Sequence, residues 1–328
     1  MRSRAIMKRL APLLISGLAL AAVFGMADLS AFSGLAARVR WEGLPAVGVL
    51  VAAIVLGISW RWRSLVRKAL PLPRSVLVSS LGLAGNQLLP LRGGDALRVV
   101  LSARGARAPS FHAGVSALAL EKLFDLLAVA AFGFASASVL IGPRTGDAGV
   151  NVIAVAVTIL GIAAAFLLAS RSGALVDWVR ALARAVRLPP RLYRHVYGPL
   201  NHIRQAASPV RVGLLFIETS AIWLVLYVLA YLSIAHVVGI SLDVSDAMVL
   251  LFAAALGLAI PAAPSGLGTF HAAIVSAFVL LGRPAADGLV LAVAIHGVFF
   301  VGFCLAGAAA LAVATRKIGS VRMRRENA

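Results

Sequence analysis

The chain has 328 residues, of which 61% are hydrophobic and only 13% are charged. A soluble domain of this length cannot bury so much apolar surface, so most of that surface must face lipid. The formal net charge is +19, but the basic residues separate long apolar runs instead of forming one basic face, which excludes nucleic acid as the expected partner. Cys304 is the single cysteine, so the sequence offers neither a disulfide framework nor a cysteine metal site.

Six stretches are long and apolar enough, or nearly so, to cross the hydrocarbon core as helices of about 20 residues. They are residues 9–26, 44–60, 110–142, 150–170, 212–238 and 288–314. The first follows a basic start, as a signal peptide does, but its length favours a retained anchor. The spans predict an all-α, polytopic membrane helical bundle in one integral domain over residues 1–328, with a first half of about 1–142 and a second half of about 150–314.

Lys and Arg are concentrated in four connecting segments. The N-terminus has four, residues 61–74 have five including Arg61, residues 171–211 have eight, and residues 315–325 have five. Because positive loops mark the cytoplasmic side, a six-crossing chain places all four there. We expect a multi-pass protein of the bacterial inner membrane with both termini in the cytoplasm. The basic cytoplasmic loop 171–211 also suits a helix lying on anionic headgroups, although topology alone would demand its charge.

Two further apolar stretches, residues 75–91 and 247–262, each run into a cluster of proline and glycine. A full crossing at 75–91 would export four arginines, whereas a re-entrant hairpin leaves them in the cytoplasm. We predict two re-entrant, broken-helix hairpins, with two ordinary short crossings as the alternative. Broken backbone at membrane depth must be satisfied by protein or by a water-filled cavity, so each hairpin implies an interior cavity.

A shift of 175 positions aligns the two hairpins with each other. It pairs Leu81-Gly82-Leu83-Ala84 with Leu256-Gly257-Leu258-Ala259, and it lays Glu121 on His296. In the topology derived from charge, the first hairpin enters from the cytoplasm and the second from outside, so the copies form an inverted repeat. Such repeats, with broken helices at their interface, are typical of transporters whose substrate sites lie at the breaks.

Charged side chains surround the first Pro/Gly cluster and continue on the helix after it. The candidate substrate-binding residues are Asn86, Pro90, Arg92, Asp95, Arg98, Glu121, Lys122 and Asp125. Ionisable groups at membrane depth are expensive and mark functional sites. Glu121 and Asp125 share one helical face at i and i+4. We expect these carboxylates to pair with Arg92 or Arg98; alternatively, such pairs only fasten the hairpin to the bundle.

The second Pro/Gly cluster carries no arginine or carboxylate. Its candidate residues are Pro264, Gly266, Gly268, His271 and, on the next span, His296. Histidine titrates near neutral pH and could relay protons, although a lone histidine more often makes a structural hydrogen bond. We expect no catalytic residue, no metal and no cofactor.

This set of residues resembles the flippase-like transmembrane domain of bacterial lysylphosphatidylglycerol synthases and its stand-alone relatives, including hopanoid-associated membrane proteins. The resemblance covers nearly the whole chain. It is carried by Asn86, Pro90, Arg92, Gly94-Asp95, Arg98, Glu121-Lys122 and Asp125, followed by a late Pro-x-Gly-x-Gly. Asp95 stands where the family usually has Glu. His271 stands near a position that is often Glu, so an acidic role at the second cluster does not carry over.

The resemblance implies a lipid translocase that moves an anionic or glycosylated lipid across the inner membrane. Arg92 and Arg98 would hold a phosphate or another anionic headgroup, while Glu121 and Asp125 would orient the arginines or bind a cationic headgroup. The alternatives are a membrane-embedded transferase and an accessory subunit that presents lipid to a separate membrane-associated glycosyl- or aminoacyl-transferase. The chain ends at Ala328, so we do not expect lysyl transfer by this chain alone. The sequence indicates no oligomeric state.

Overall fold

The computed structural model describes residues 16–22, 25, 39–105, 108–141, 181, 209–260 and 263–326. All regular secondary structure in these ranges is helical, which confirms the predicted all-α class. Three helices in the described ranges are long and apolar enough to cross a membrane, namely Trp41–Leu65, Val210–Val237 and Ala285–Arg316. The predicted crossing 150–170 lies outside the described residues, as do all but a few residues of 9–26 and of the loop 171–211.

Within residues 39–105 and 108–141, the first half has four α-helices and one sharp break. The helices are α1 (Leu44–Leu65), α2 (Leu72–Leu88), α3 (Gly93–Ser102) and α4 (Phe111–Ile141), and the first break is the 3-10 turn Pro90–Arg92. Proline cannot continue a helix, and Leu89 before it is extended at φ −96° and ψ 142°. Leu91 and Arg92 then adopt left-handed backbone with φ of 54° each, which ends α2 and starts the return into α3.

The second half follows the same order. A long helix with a π-helical middle, made of α5 (Pro209–Ser220), the π segment (Ala221–Tyr227) and α6 (Val228–Val237), precedes α7 (Val244–Ala259), α8 (Thr269–Leu280) and α9 (Ala285–Glu326). The second break, Pro264–Gly266, separates α7 from α8. Asp243 caps α7 by accepting a 2.7 Å hydrogen bond from the backbone N–H of Asp246. Ser265 in the break is left-handed, with φ of 56°.

Around the first break, α2 and α3 pack closely as an antiparallel hairpin. A Cβ atom added to Gly82 would lie 3.1 Å from the carbonyl oxygen of Gly94 and 3.0 Å from the Cβ of Arg98. A Cβ added to Gly85 would lie 2.8 Å from the Cα of Gly94. These contacts need glycine because the two backbones approach too closely for a side chain. The 17 residues of α2 span about 26 Å, less than a hydrocarbon core of about 30 Å.

The second hairpin makes the corresponding contact. A Cβ atom added to Gly257 would lie 2.7 Å from the carbonyl oxygen of Thr269 and 2.9 Å from the Cβ of Ala273. Gly257, Thr269 and Ala273 lie 175 positions after Gly82, Gly94 and Arg98, respectively, so the two contacts involve equivalent residues. The local backbone geometry of the two hairpins is therefore the same at the point where their helices cross.

Each half packs its last helix on the hairpin of the other half. In one contact α9 crosses α2, where a Cβ on Gly307 would overlap the side chain of Ala84. In the other, α4 crosses α7, where a Cβ on Gly133 would lie 2.7 Å from the ring of Phe252. Because the 175-residue shift relates α2 to α7 and α4 to α9, the two contacts are reciprocal. Cα atoms of the first break also lie within 8 Å of Cα atoms of the second break.

The apolar core of the described residues has two main parts. The larger part includes Ile54, Ile234, Leu250 and Leu291 and joins α1, α6, α7 and α9. The smaller part, which includes Trp62, lies between α1, the first hairpin, α4 and α5. Trp62 of the smaller part lies against Arg98 of the first hairpin, so this buried charge is held in an apolar setting.

Candidate functional site

A buried ion pair connects the first hairpin to α4. Arg98 Nη2 donates to Glu121 Oε1 at 2.7 Å, and the two side chains are 3% and 4% exposed. The Arg98 guanidinium also lies 4.1 Å from the ring centroid of Trp62, which provides a cation–π contact. Removing one partner of such a pair leaves an uncompensated buried charge, which is strongly destabilising. The pair therefore fixes α3 against α4.

Arg61 extends this network to α1 and α5. Its Nη1 donates to Asp125 Oδ1 at 2.8 Å and to Thr219 Oγ1 at 3.2 Å, and its Nη2 lies 3.7 Å from Glu121 Oε1. Trp223 in the π segment donates its indole N–H to Asp125 Oδ1 at 2.9 Å. π-Helical turns are frequent at functional sites. Three long helices and the first hairpin therefore converge on Glu121 and Asp125.

Arg61 belongs to α1 and not to the basic loop of residues 61–74, so its predicted place in that loop was wrong. In the structure α1 continues to Leu65 and buries Arg61, which is 3% exposed. The signal was present in the spacing, because Ile54, Ile58, Arg61 and Leu65 are separated by four, three and four residues and share one helical face. Because the basic residues from 61 to 74 were counted together as one loop, Arg61 was not recognised as part of this helical face. Thr219 and Trp223 carried no comparable local signal.

A second part of the network surrounds Asp95 at the start of α3. Asp95 Oδ1 accepts a 2.9 Å hydrogen bond from Asn86 Nδ2, and the Asp95 backbone N–H donates to Asn86 Oδ1 at 3.0 Å. Its carboxylate lies 3.0 Å from Lys122 Nζ, 3.7 Å from Arg92 Nε and 3.8 Å from Arg98 Nη2. The side chain of Asp95 is 14% exposed, whereas those of Lys122 and Arg92 are 40% and 55% exposed. Asp95 thus lies between the buried network and two accessible cations.

The predicted residues of the first cluster come together, with one change of partner. Glu121 pairs with Arg98, as expected. Asp125 pairs with Arg61, and not with Arg92 or Arg98 as we expected. Pro90 forms the break itself, and Asn86 joins α2 to the network through Asp95.

Some polar atoms of the buried network have no hydrogen-bond partner. Within the described residues these include Arg61 Nε, Arg98 Nε and Glu121 Oε2. Most buried polar groups in proteins are paired. The network therefore retains hydrogen-bonding capacity that its own side chains do not use.

The two predicted histidines also come together, beside the second break. The rings of His271 and His296 stack with centroids 4.9 Å apart. Ser265 Oγ lies 3.0 Å from His296 Nε2, and the backbone N–H of Gly268 donates to His271 Nδ1 at 3.4 Å. The two rings therefore stack on each other and contact the second break through hydrogen-bonding atoms, and among the described residues neither ring contacts a carboxylate or an arginine.

The remaining predicted residues shape the second break. Pro264 begins it, and Gly266 and Gly268 have φ of 70° and 91°, a region that favours glycine. Ser16 in the N-terminal span accepts a 2.8 Å hydrogen bond from the backbone N–H of Ala263. A Cβ on Gly268 would lie 2.5 Å from the carbonyl oxygen of Ser16. Part of the predicted N-terminal anchor therefore packs directly against this break.

The geometry can be compared with known proteins. A family model described as the lysylphosphatidylglycerol synthase TM region matches residues 9–307 of the chain. This range includes both hairpins and every candidate residue named above. No curated protein and no solved structure matches the chain significantly.

Proposed function

The chain belongs to the lysylphosphatidylglycerol synthase transmembrane-region family, and from that premise we propose that it is a lipid translocase of the bacterial inner membrane. Family membership and the three long apolar helices support a multi-pass membrane protein with a lipid-related function. The finer proposal is movement of an anionic or glycosylated lipid between leaflets. It is carried by one observation, namely that the two breaks meet beside a network of ionised side chains.

We propose that the two hairpins are re-entrant and form an inverted repeat, with both termini in the cytoplasm. The proposal is supported by equivalent crossings at Gly82 and Gly257 and by the reciprocal contacts of α9 with α2 and α4 with α7. Two re-entrant hairpins whose tips meet would form a closed barrier between a cytoplasmic and an external cavity. Parting of the tips would connect the two cavities, as alternating access requires.

Within this proposal the charged residues have two different tasks. Arg98 is buried and bonded to Glu121, so it holds the hairpin in place and is a poor primary contact for a headgroup. Arg92 and Lys122 are accessible and lie at the first break and at its neighbouring helix. The headgroup is therefore bound on the side of Arg92 and Lys122, while Arg61, Arg98, Glu121 and Asp125 maintain the structure.

The direct test is leaflet-specific labelling of a candidate lipid in proteoliposomes that contain the purified chain. A translocase makes the protected inner-leaflet pool accessible to an outside reagent, and empty liposomes do not. A chain that only presents lipid to a separate transferase leaves the protected pool unchanged. That second result would contradict independent transport.

The barrier can be tested by joining the two breaks covalently. Leu91→Cys and Ser265→Cys, in a Cys304→Ala background, place one thiol on each break. A short bifunctional thiol reagent should stop labelling of the protected pool in the double variant and leave both single-cysteine variants active. Full transport by the cross-linked protein would show that the breaks need not separate.

A further inference from the structure

We infer that the first break contains an anion site that the protein's own Asp95 occupies, and that a phosphoester headgroup binds there by displacing the Asp95 carboxylate. The inference rests on the proposed translocase function. It adds the class of ligand and names the side chain that occupies the site when no ligand is bound. It assigns Arg92 and Lys122 as the first contacts of the phosphoester oxygens, and Arg98 as the buried cation that these oxygens approach once Asp95 has moved.

The distances around Asp95 show that a carboxylate fills this site incompletely. Asn86 Nδ2 at 2.9 Å and Lys122 Nζ at 3.0 Å are within hydrogen-bonding distance. Arg92 Nε at 3.7 Å and Arg98 Nη2 at 3.8 Å are too far away for hydrogen bonds. In this arrangement Asp95 Oδ1 accepts from Asn86 and Oδ2 lies beside Lys122, and neither oxygen is close enough to hydrogen-bond an arginine. A tetrahedral phosphoester spreads its oxygens more widely, and guanidinium and ammonium groups are its usual partners.

The charge of the site favours an anion in place of Asp95. When the Asp95 carboxylate moves aside, three cations, Arg92, Arg98 and Lys122, face one carboxylate, Glu121. Three positive charges against one negative charge leave two positive charges, which favour binding of a phosphoester anion. The buried Nε of Arg98 also has no hydrogen-bond partner. Arg98, which lies behind Asp95, therefore retains one unused hydrogen-bond donor.

The accessible cations define the direction of entry. Arg92 and Lys122 are 55% and 40% exposed, whereas Arg98 is 3% exposed. A headgroup therefore meets Arg92 and Lys122 first and reaches Arg98 only when Asp95 moves aside. The backbone bond from Asp95 N–H to Asn86 Oδ1 does not involve the carboxylate. It can hold the start of α3 in place during the exchange.

The test compares binding of glycerol phosphate to the purified full chain and to point variants in an uncharged, phosphate-free detergent at constant ionic strength. Asp95→Asn removes the competing charge, and its amide oxygen can still accept from Asn86. We expect about fivefold tighter binding, since a fivefold change corresponds to the upper end of the energy of one partly exposed ion pair. Asp95→Ser is the second variant, with the same expected direction, and the unfolding temperature without ligand shows whether each variant is folded.

Two substitutions and one control identify the cations. Arg92→Gln and Lys122→Gln should each weaken binding by about tenfold because each removes one charge-assisted contact. Lys68→Gln changes the net charge equally, on the exposed turn between α1 and α2, and should leave binding unchanged. Equal weakening by Lys68→Gln would show nonspecific attraction to a basic surface and would overturn the site.

Short-chain phosphatidylglycerol, added to the glycerol phosphate binding assay, shows whether the site binds the phosphoester of a lipid or only a free phosphoester. Competition between this lipid and glycerol phosphate supports a lipid headgroup as the ligand. Binding of glycerol phosphate with the expected variant pattern, but without competition, would keep the anion site and contradict the lipid proposal. Unchanged or weaker binding in folded Asp95→Asn and Asp95→Ser would overturn the inference, while transport in proteoliposomes would leave the translocase proposal intact.

Discussion

The two hairpins share a backbone contact and differ in their polar chemistry. Gly82 approaches Gly94 in the first, and Gly257 approaches Thr269 in the second, at equivalent positions. The first hairpin then meets α4 through an ion pair of Arg98, whereas the second meets α9 through stacked histidine rings. Close packing of small residues therefore sets the shape of each hairpin, and the polar side chains around the hairpin can differ without changing that shape.

The largest expected effect is the loss of the buried carboxylate on α4. Glu121→Gln leaves Arg98 and Arg61 without their shared anion, and removing one partner of a buried pair costs about 3–5 kcal/mol. The equivalent change in the second half, His296→Gln, removes a neutral contact with Ser265 and should cost about 1 kcal/mol. Unfolding of the purified variants, followed by heat or denaturant, measures both. Equal losses would show that the two hairpins are held by similar forces.

A smaller loss is expected where the hairpin helices cross. Gly94→Ala places a methyl group against the carbonyl oxygen of Gly82, and overpacking of this kind costs about 1–3 kcal/mol. Gly257→Ala should cost less in the second hairpin, where the added Cβ would lie 2.7 Å from the carbonyl oxygen of Thr269. Gly48→Ala on α1 is the control, because a Cβ there meets no atom within 4 Å, and it should be neutral or slightly stabilising. Similar unfolding temperatures for Gly94→Ala and Gly48→Ala would contradict the close crossing.

The contact of the π segment with the ion network should contribute less. Trp223→Phe removes the indole N–H that donates to Asp125 and keeps an aromatic ring to stack on Tyr227, whose ring centroid is 5.1 Å away. A loss of about 1.5 kcal/mol, the lower end of the range for a hydrogen bond to a charged group, is expected because Asp125 keeps its bond from Arg61. Trp41→Phe, at a 63% exposed position, is the matched control in the same unfolding measurement.

Much of this fold could be predicted from proline, glycine and charge. Pro90 and Pro264 identified the breaks because proline ends helices locally. The pairing of Glu121 with Arg98 was predicted because ions at membrane depth need partners. The contacts of Asp125 with Arg61 and Trp223 could not be predicted in this way. They join residues 64 and 98 positions apart, so they depend on how the long helices pack rather than on any local pattern.

The smallest expected effect on stability is the loss of the accessible cations, and it distinguishes headgroup-binding residues from residues that maintain the structure. Arg92→Gln and Lys122→Gln remove accessible charges, and exposed ion pairs contribute about 0–1 kcal/mol. Their unfolding curves should therefore remain close to that of the original chain, unlike the curve of Glu121→Gln. A large loss of stability in either variant would assign these cations to the structural network.

The most direct measurement is the initial rate of leaflet-specific lipid labelling in proteoliposomes that contain the Arg92→Gln/Lys122→Gln double variant. A control variant, Arg67→Gln/Lys68→Gln, removes the same charge from the exposed turn between α1 and α2. If the headgroup is bound at the first break, the double variant loses transport while its fold remains intact, and the control transports at the original rate. Equal rates for the two folded variants would contradict a headgroup site at the first break.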